Sequence, residues 1–364
     1  MKQSLLIWNA MASRQVSGGD MYIKKFIENS DSKYDIVLSE HASGILEKNS
    51  NNRLFITDSK EAVGSLALLY LYTKRIIKAL FIVKRQKNNY DSVIASSPFL
   101  PDIIPAIAKK SKNRVVVLFH LVPKRNAKDL RTKIRFSIAR FEQKVALVLI
   151  GKFFSTILAG NIVVQEELQR KFPNKKIVIA HAGIDTDLID KFSANKKDKN
   201  LGVFVGRLTT QKGILDIVDI AKYMADKQPD FKIIVVGDGQ DRNIFTQRIK
   251  EEKVDNIILK GFVDQKTKYQ LMKQASFFIF PSYEEGWGIA LAEALYTNSL
   301  VFCYELPHYR SIFSSYPIYC KLGDWLDMAR KMDKNYLNKP ASDQTKYISR
   351  YQDRKVIKQV LAEL

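Results

Sequence analysis

Residues 277–295 of this chain read FFIFPSYEEGWGIALAEAL, and the stretch predicts a strand, a loop and a helix in succession. The apolar run 277–280 is typical of a strand that is buried on both faces of a parallel sheet. Two carboxylates follow it: Glu285 lies in the loop, and Glu293 lies about two helical turns further on, on the face that looks back to the strand end. Such a pair can hold two sets of hydroxyls on one extended ligand.

Short apolar runs of the same kind recur along the chain, and helical stretches separate them. The predicted strands are 5–8, 34–38, 92–96, 115–119, 162–164 and 177–180 in the first half, and 203–205, 231–236, 256–259, 277–280 and 300–303 in the second. The repetition predicts an α/β protein with two Rossmann-like, doubly wound parallel-sheet domains. We place the domains at residues 1–192 and 201–364, with the polar segment 193–200 as a linker.

The composition is that of a packed globular protein, because 46% of the 364 residues are hydrophobic and 27% are charged. The two cysteines, Cys303 and Cys320, are too few for a disulfide framework or a cysteine-only zinc site. The N-terminus has no signal-peptide pattern, and no apolar run reaches the about 20 residues of a membrane span. These features predict a cytoplasmic protein in a reducing compartment.

The net charge of +21 is unevenly distributed. Residues 1–200 contain 35 Lys and Arg against 18 Asp and Glu, a net charge of +17, whereas residues 201–364 contain 24 against 20, a net charge of +4. The excess belongs to the first half, which suggests that this half faces an anionic partner.

A candidate diphosphate site follows the strand 203–205, where residues 206–213 read GRLTTQKG. Gly206 allows a tight turn, and an amphipathic helix begins after the last glycine. Arg207 can form two parallel hydrogen bonds to phosphate oxygens, while Lys212 supplies a mobile point charge near the helix N-terminus. A surface turn with solvated cations is the alternative interpretation.

Further glycine turns follow the neighbouring strands. Each allows a ligand to approach the backbone closely, although each is weak evidence alone. The residues concerned are Asp238 and Gly239 after the strand 231–236, Gly261 and Phe262 after 256–259, and Gly286, Trp287 and Gly288 after 277–280.

Taken together, residues 202–295 resemble the donor-binding domain of retaining glycosyltransferases with the GT-B fold, family 4 (the group 1 glycosyltransferases) in particular. That family carries a Gly-Arg…Lys-Gly pair, a Gly-Asp-Gly turn and a Glu-x7-Glu pattern inside Pro-Ser-x-x-Glu-Gly-Phe-Gly. All three occur here in order, and Trp287 stands in the usual Phe place. The segment 180–185 also resembles the family's Asn-Gly-Val-Asp segment, although Ala182 stands in place of Asn.

The resemblance implies two domains facing a cleft, with a final helix that can return to the first domain. It implies that Arg207 and Lys212 neutralise the departing diphosphate of a UDP- or GDP-sugar, so that no metal and no other cofactor is required. Glu285 would hold and orient the transferred sugar, and Glu293 would bind the ribose hydroxyls. Residues near Gly261 and Phe262 would contact the base.

In the first half the resemblance implies two further contacts to the donor. Gly18 and Gly19 precede a predicted helix, and a Gly-Gly turn at this place approaches the donor phosphate in the family. His120 ends the run 115–119 and matches the family's strand-end histidine, which faces the transferred sugar. The family often has Asp next, whereas Leu121 follows here.

Two predicted helical stretches of the first half, 62–85 and 129–148, combine apolar and basic residues. One interpretation is that these are core helices with solvated basic faces. The other is a surface for anionic lipid headgroups or for a lipid-phosphate acceptor, which would place the protein at the inner face of the membrane. The residues of this basic patch are Lys74, Arg75, Lys78, Lys124, Arg125, Lys128, Arg131 and Arg135.

The predicted function is the transfer of a hexosyl-type sugar, with retention at the anomeric carbon, to a glycan, glycolipid or lipid-phosphate acceptor. Two alternatives stay open: a basic nucleic-acid-binding protein and an inactive glycosyltransferase-like scaffold. No zinc-finger spacing, RNP-like segment or glycine-arginine run supports the first, and the complete set of cations and carboxylates speaks against the second.

Overall fold

A computed structural model describes residues 3–11, 16–46, 52–58, 65–119, 121, 130–193 and 196–364, without the side chains of 65–66 and 130–136. The chain divides into two compact units. Unit 1 comprises residues 1–182 and 354–364, and unit 2 comprises residues 183–353. The strand that opens the sheet of unit 2 starts at Asp198, inside the segment predicted as a linker.

Each unit is built on a parallel sheet. The strands of unit 1 are β1 (Gln3–Trp8), β2 (Lys33–Leu38), β3 (Arg53–Ile56), β4 (Ser92–Ala95), β5 (Asn113–Leu118), β6 (Thr156–Ala159) and β7 (Lys176–Ile179). The strands of unit 2 are β8 (Asp198–Val205), β9 (Lys232–Val236), β10 (Ile257–Gly261), β11 (Ala275–Phe280), β12 (Leu300–Tyr304) and β13 (Ile318–Cys320).

Helices connect the strands in both units. In the first part of the chain they are α1 (Gly18–Glu28), α2 (Glu40–Ser43), α3 (Ser65–Arg85), α4 (Leu100–Ala108), α5 (Leu130–Phe153), α6 (Ile162–Lys171) and α7 (Thr186–Asp190). The others are α8 (Ile214–Lys227), α9 (Arg242–Glu251), α10 (Gln265–Gln274), α11 (Ile289–Tyr296), α12 (Tyr309–Phe313), α13 (Trp325–Lys334), α14 (Gln344–Ile348) and α15 (Asp353–Ala362), with 3-10 turns at Thr210–Lys212 and Ser349–Tyr351.

Both sheets are doubly wound. The order is β3-β2-β1-β4-β5-β6-β7 in unit 1 and β10-β9-β8-β11-β12-β13 in unit 2. Every described pair of neighbouring strands is parallel, as in the pairs β1–β4 and β8–β11. The predicted fold class is therefore confirmed: the chain has two Rossmann-like parallel-sheet domains. In such sheets ligands bind at the carboxyl ends of the strands, where the strand order reverses, which in unit 2 is between β8 and β11.

Apolar strands and one apolar stripe per helix form the core of each unit. In α8 the predicted stripe is confirmed, since Ile214, Ile217, Val218 and Ala221 are fully buried against β-strand residues such as Phe277. In unit 1 the helices α3 to α6 pack on one face of the sheet. The short parallel strands thus hold the loops that follow them on rigid supports.

One predicted strand of unit 1 is wrong. The run 162–164 is the first turn of α6, where the Asn161 side chain accepts a hydrogen bond from the backbone amide of Val164 at 3.0 Å. The strand of this region is β6 (Thr156–Ala159) instead. Three apolar residues fit a strand and a buried helical turn equally well, and the N-cap decides between them.

Candidate functional site

The loops that follow β8 and β11 contact each other at the switch point of the unit 2 sheet. Gly213 has φ +69°, and a Cβ placed on it would lie 2.0 Å from the carbonyl oxygen of Pro281. The amide of Tyr283 donates to the carbonyl of Gln211 at 2.9 Å. Only glycine permits this close approach, so the Lys212-Gly213 step joins the cation-bearing loop to the loop that carries Glu285.

Lys212 and Glu285 form an ion pair across these two loops. Each side chain is only 14% exposed, and the Lys212 ammonium also lies 3.5 Å from the carbonyl oxygen of Glu284. The proposed phosphate-binding cation and the proposed sugar-binding carboxylate therefore hold each other in place. A partly buried pair of this kind is screened less by salt than a surface pair.

Asp216, in the first turn of α8, also holds the loop that carries Glu285 in place. Its Oδ2 accepts hydrogen bonds from the hydroxyls of Tyr283 at 2.8 Å and Tyr304 at 2.5 Å. Burial, together with the hydrogen bond to Asp216, raises the pKa of Tyr283 to about 12. Both phenols thus remain donors at neutral pH, and the loop that carries Glu285 is fixed to helix α8 and to the end of β12.

The glycine turns after β8, β9 and β10 also meet. The amide of Gly206 donates to the Val236 carbonyl at 3.0 Å, and that of Gly237 donates to the Gly261 carbonyl at 2.8 Å. A Cβ on Gly239 would lie 2.4 Å from the carbonyl oxygen of Leu208. Together with the loop after β11, these turns bring four of the predicted loops to one edge of the unit 2 sheet.

Glu293 lies in α11, where it is 5% exposed, and its carboxylate is held by two residues of α10. Lys268 donates to its two oxygens at 2.9 and 3.0 Å, and the Tyr269 hydroxyl donates to Oε1 at 2.8 Å. Burial and the neighbouring carboxylate raise the pKa of Tyr269 above its usual range. Each carboxylate of the Glu-x7-Glu pair consequently has its own lysine.

The two aromatic residues predicted to bind the donor have opposite environments. Phe262, directly after β10, is 88% exposed, and a Cβ on the preceding Gly261 would have no atom within 4 Å. Trp287 is 3% exposed and packs edge to face on Phe313 and Tyr351. Phe262 is therefore available for stacking on a base, whereas the Trp287 side chain belongs to the core.

The remaining predicted donor residues lie at the same edge. Arg207 is exposed, and within the described part of the chain no ion pair holds its guanidinium. Asp238 accepts from the Gly239 amide at 2.8 Å and lies 3.3 Å from Arg242. Gly286 lies in the loop after β11, and Gly288 is the N-cap of α11 with φ +100°.

In unit 1, Gly18 and Gly19 form the first turn of α1. Ser17 caps this helix by accepting a hydrogen bond from the Asp20 amide, and a Cβ on Gly19 would lie 3.4 Å from the Phe119 ring. The helix N-terminus thus follows the carboxyl end of β1, as a phosphate contact requires. His120 lies outside the described residues.

The residues of the predicted basic patch do not share one environment. Arg75 is fully buried and donates to the carbonyls of Met11 at 2.6 Å and Asn9 at 3.2 Å, so it supports the loop after β1 and is not a surface cation. Lys74 and Lys78 both lie near the Asp58 carboxylate, at 2.8 and 4.0 Å, and Lys78 is half exposed. Outside the described residues, or without a described side chain, are Lys124, Arg125, Lys128, Arg131 and Arg135.

Sequence reasoning missed Asp216, Tyr304, Lys268 and Tyr269. Asp216 lies in the first turn of a predicted helix beside the diphosphate loop, which is a usable signal. Tyr304 ends β12, whereas Lys268 and Tyr269 lie in α10, and only the fold brings Tyr304 to Asp216 and the other two to Glu293.

The described residues contain no group of three or more His, Cys, Asp or Glu side chains placed to hold a metal ion. No helix among them combines the length and the apolar character needed to cross a membrane.

Residues 185–352, nearly all of unit 2, match the family model described as glycosyl transferases group 1. A curated relative, the 2-deoxystreptamine N-acetyl-D-glucosaminyltransferase of Niallia circulans, is 32% identical over 112 residues, which are 30% of this chain and 29% of that protein. The match thus spans less than a third of this relative's length. The capsular polysaccharide biosynthesis glycosyltransferase CapH of Staphylococcus aureus is 27% identical over 69% of this chain and 70% of its own length.

Solved structures share the fold over the whole chain. HepE of Anabaena, solved with UDP and glucose, superposes with a TM-score of 0.75 at 16% identity and covers 100% of this chain and 99% of its own. A variant of S. aureus TarM, solved with UDP and a glycosyl-glycerol ligand, also has a TM-score of 0.75, at 11% identity, covering 100% and 99%. The family match of residues 185–352 and the two parallel-sheet units lead to one conclusion: unit 2 resembles the group 1 glycosyltransferases, and the whole chain has the GT-B fold.

Proposed function

We propose that this chain transfers a hexosyl-type sugar from a UDP- or GDP-sugar to an acceptor hydroxyl, with retention at the anomeric carbon, in the synthesis of a cell-surface glycan or glycolipid. The observation that carries the proposal is the meeting of Lys212, Glu285 and the first turn of α8 at the switch point of the unit 2 sheet. Retention is taken from the resemblance to family 4, since no distance in unit 2 distinguishes it from inversion.

The two cations of the loop after β8 make the largest contribution to catalysis. During transfer the bond from the anomeric carbon to the diphosphate breaks, the diphosphate leaves with the electron pair and takes up the proton of the acceptor hydroxyl, and the acceptor oxygen forms the new bond to the anomeric carbon. Arg207, which is exposed, and Lys212 stabilise the negative charge that grows on the departing phosphate. They do a metal ion's electrostatic work, so the proposal includes no metal and no other cofactor.

The carboxylates and Phe262 hold the rest of the donor. Glu285 orients the transferred sugar while Lys212 holds its carboxylate in place. Glu293, held by Lys268 and Tyr269, accepts hydrogen bonds from the ribose hydroxyls. Phe262 presents an exposed ring on which the base stacks. Gly18 and Gly19 at the start of α1, and His120, are the proposed unit 1 contributions to donor binding.

Names of relatives support the acceptor class. Besides CapH, a relative in Xanthomonas campestris, 26% identical over 138 residues, is a GDP-mannose:cellobiosyl-diphosphopolyprenol alpha-mannosyltransferase. We propose a glycan, glycolipid or lipid-phosphate acceptor that is bound by the basic unit 1. An acceptor of this kind puts the protein in the cytoplasm, peripherally at an anionic membrane surface.

Nucleotide binding tests the proposal. Calorimetric titration in EDTA with UDP, GDP and ADP should show selective binding of UDP or GDP, and a bound nucleotide should raise the melting temperature by mass action. Phe262→Ala should weaken this binding about tenfold, because base stacking contributes roughly 1–3 kcal/mol. Ile244→Ala, at an exposed apolar residue of α9, is the matched control.

Other outcomes identify the alternatives. Binding of polynucleotide without binding of any nucleoside diphosphate would favour a nucleic-acid-binding protein. Nucleotide binding without transfer to any glycan or lipid-linked acceptor would favour an inactive scaffold. Binding that is lost in EDTA and restored by Mg²⁺ or Mn²⁺ would overturn the metal-free site.

A further inference from the structure

Helix α3 of unit 1 exposes a ridge of large apolar side chains. Tyr70 is 70% exposed, Ile77 62% and Phe81 57%. At 3.6 residues per turn, these three positions fall within about 40° of one another on the helix surface. The buried stripe, which includes Leu71, Ala79 and Val83, lies on the opposite side. The ridge therefore points away from the core of unit 1.

Helix α5 has a second ridge of the same kind. Ile138 is 52% exposed, Phe141 70% and Val148 69%. The core contacts of this helix come from Leu147 and Ile150, and Ala146 is also fully buried. Single exposed apolar residues are ordinary, whereas two rows on neighbouring helices need an explanation.

The two ridges belong to one layer of unit 1. Residues of α3, α4 and α5, such as Val83, Ile103 and Ile150, pack into the same cluster on one face of the sheet. Helix α4 contacts both α3 and α5. The outward sides of α3 and α5 therefore flank α4 on the same side of the unit.

Charge identifies the partner of this layer. The sequences of α3 and α5 together contain 11 Lys and Arg, of which Arg75 is buried, and a single acidic residue, Glu142. Glu142 is turned inward and accepts a hydrogen bond from the Leu100 amide at 3.2 Å. The Arg85 guanidinium lies 3.8 Å from the centroid of the Phe81 ring, which places a cation directly beside the ridge.

A partner that fits must be anionic at its surface and apolar just beneath it. An anionic lipid bilayer has both properties, because headgroups attract Lys and Arg while the acyl boundary takes up Phe, Tyr and Ile side chains. A polyanion such as a nucleic acid would use the cations and leave the apolar ridges in water. A second copy of this chain would bring a surface of the same positive sign.

We propose that the outward faces of α3 and α5 form a docking surface that inserts Tyr70, Ile77, Phe81, Ile138, Phe141 and Val148 into the interface of an anionic membrane. The inference deepens the membrane part of the proposed function and rests on it for its biological role. The insertion itself is independent of sugar transfer. It therefore differs from adsorption by charge alone, which would need no apolar contact.

Vesicle co-sedimentation of the full chain tests the insertion. Vesicles of phosphatidylglycerol and phosphatidylcholine should bind the protein, and vesicles of phosphatidylcholine alone should bind it less. Ile77→Ser with Phe141→Ser, which leaves the net charge unchanged, should weaken binding by roughly tenfold or more, because two apolar side chains no longer enter the lipid. The matched control is Ile244→Ser with Leu337→Ser, at unit 2 residues that are 53% and 80% exposed.

Salt and fluorescence separate the possible results. At 1 M salt, where the Debye length is about 3 Å, part of the wild-type binding should persist. Phe81→Trp should gain tryptophan fluorescence that brominated lipids quench, compared with the unmodified chain. Nucleotide binding by the serine variants checks that unit 2 is intact, so failure of the docking surface is distinguishable from failure of the proposed function.

Three results would overturn the proposal. The first is equal vesicle binding by the test and control variants with complete release at high salt, which would mean adsorption by charge alone. The second is no binding to anionic vesicles at low salt. The third is self-association that the test variant abolishes without any vesicle binding, which would assign the ridges to a second copy of the chain.

Discussion

The switch-point loops of unit 2 and the outer helices of unit 1 use their charged residues in opposite ways. In unit 2, Lys212 pairs with Glu285 and Lys268 pairs with Glu293, and these side chains are largely buried. In unit 1, Lys78 is half exposed at 4.0 Å from the Asp58 carboxylate and Arg85 stacks on Phe81, and both cations border apolar side chains that reach solvent. The first arrangement is pre-organised for one ligand geometry, as electrostatic catalysis requires. The second arrangement does not require one fixed ligand geometry, so it suits a fluid, extended partner.

Removing a loop cation should give the largest effect and would test the pre-organised side of the comparison. We expect Arg207→Ala and Lys212→Ala to lower turnover by roughly 100-fold or more at saturating donor, because charge on the leaving diphosphate loses a fixed countercharge. Lys227→Ala, at an exposed lysine at the other end of α8, should leave turnover unchanged. Near-normal turnover in both loop variants would remove the diphosphate assignment.

Substitutions of Glu285 and Glu293 should affect different quantities, turnover in the first case and nucleotide affinity in the second. Glu285→Gln should lower turnover by about 10- to 100-fold with nucleotide affinity nearly unchanged, because that residue acts on the sugar. Glu293→Gln should instead weaken UDP or GDP binding by about tenfold, since a hydrogen bond from a ribose hydroxyl to a carboxylate contributes about 1.5–3 kcal/mol.

Kinetics and calorimetry on both variants measure this difference, with Glu251→Gln at an exposed residue of α9 as the control. Equal losses of nucleotide affinity in the two variants would show that the roles are wrongly divided.

Asp216→Asn should have the smallest effect and shows how much of the pre-organisation comes from residues that do not touch the donor. The asparagine keeps one acceptor for Tyr283 or Tyr304 but loses the charge-assisted bonds, so we expect turnover to fall about 3- to 10-fold while nucleotide affinity stays constant. Tyr304→Phe should act in the same direction.

Asp226→Asn, at an exposed residue near the other end of α8, is the matched control. If Asp216→Asn lowers the melting temperature but leaves turnover at the wild-type level, Asp216 is only structural and does not position the Glu285 loop.

Unit 2 was largely predictable from sequence because its signals are local. Parallel strands are buried on both faces, so 203–205, 231–236 and 277–280 stand out as apolar runs, and the loops after them carry the site residues. Unit 1 was less predictable. Its run 162–164 is a helical turn, and β3 (Arg53–Ile56), at the sheet edge, was not predicted, since Leu54 and Ile56 remain exposed and the strand is short.

By itself the sequence determined the fold class, the segregation of positive charge and which segments of unit 2 are glycine-containing loops after strands, because periodicity, glycine turns and composition are properties of neighbouring residues. Only the tertiary structure decided which side chains meet. It pairs Lys268 with Glu293 across 25 positions and Tyr304 with Asp216 across 88, buries Arg75 beneath the loop after β1, and turns Phe141 outward. Burial and pairing depend on which faces of distant elements pack together. The sequence around a basic or apolar residue does not reveal which faces these are.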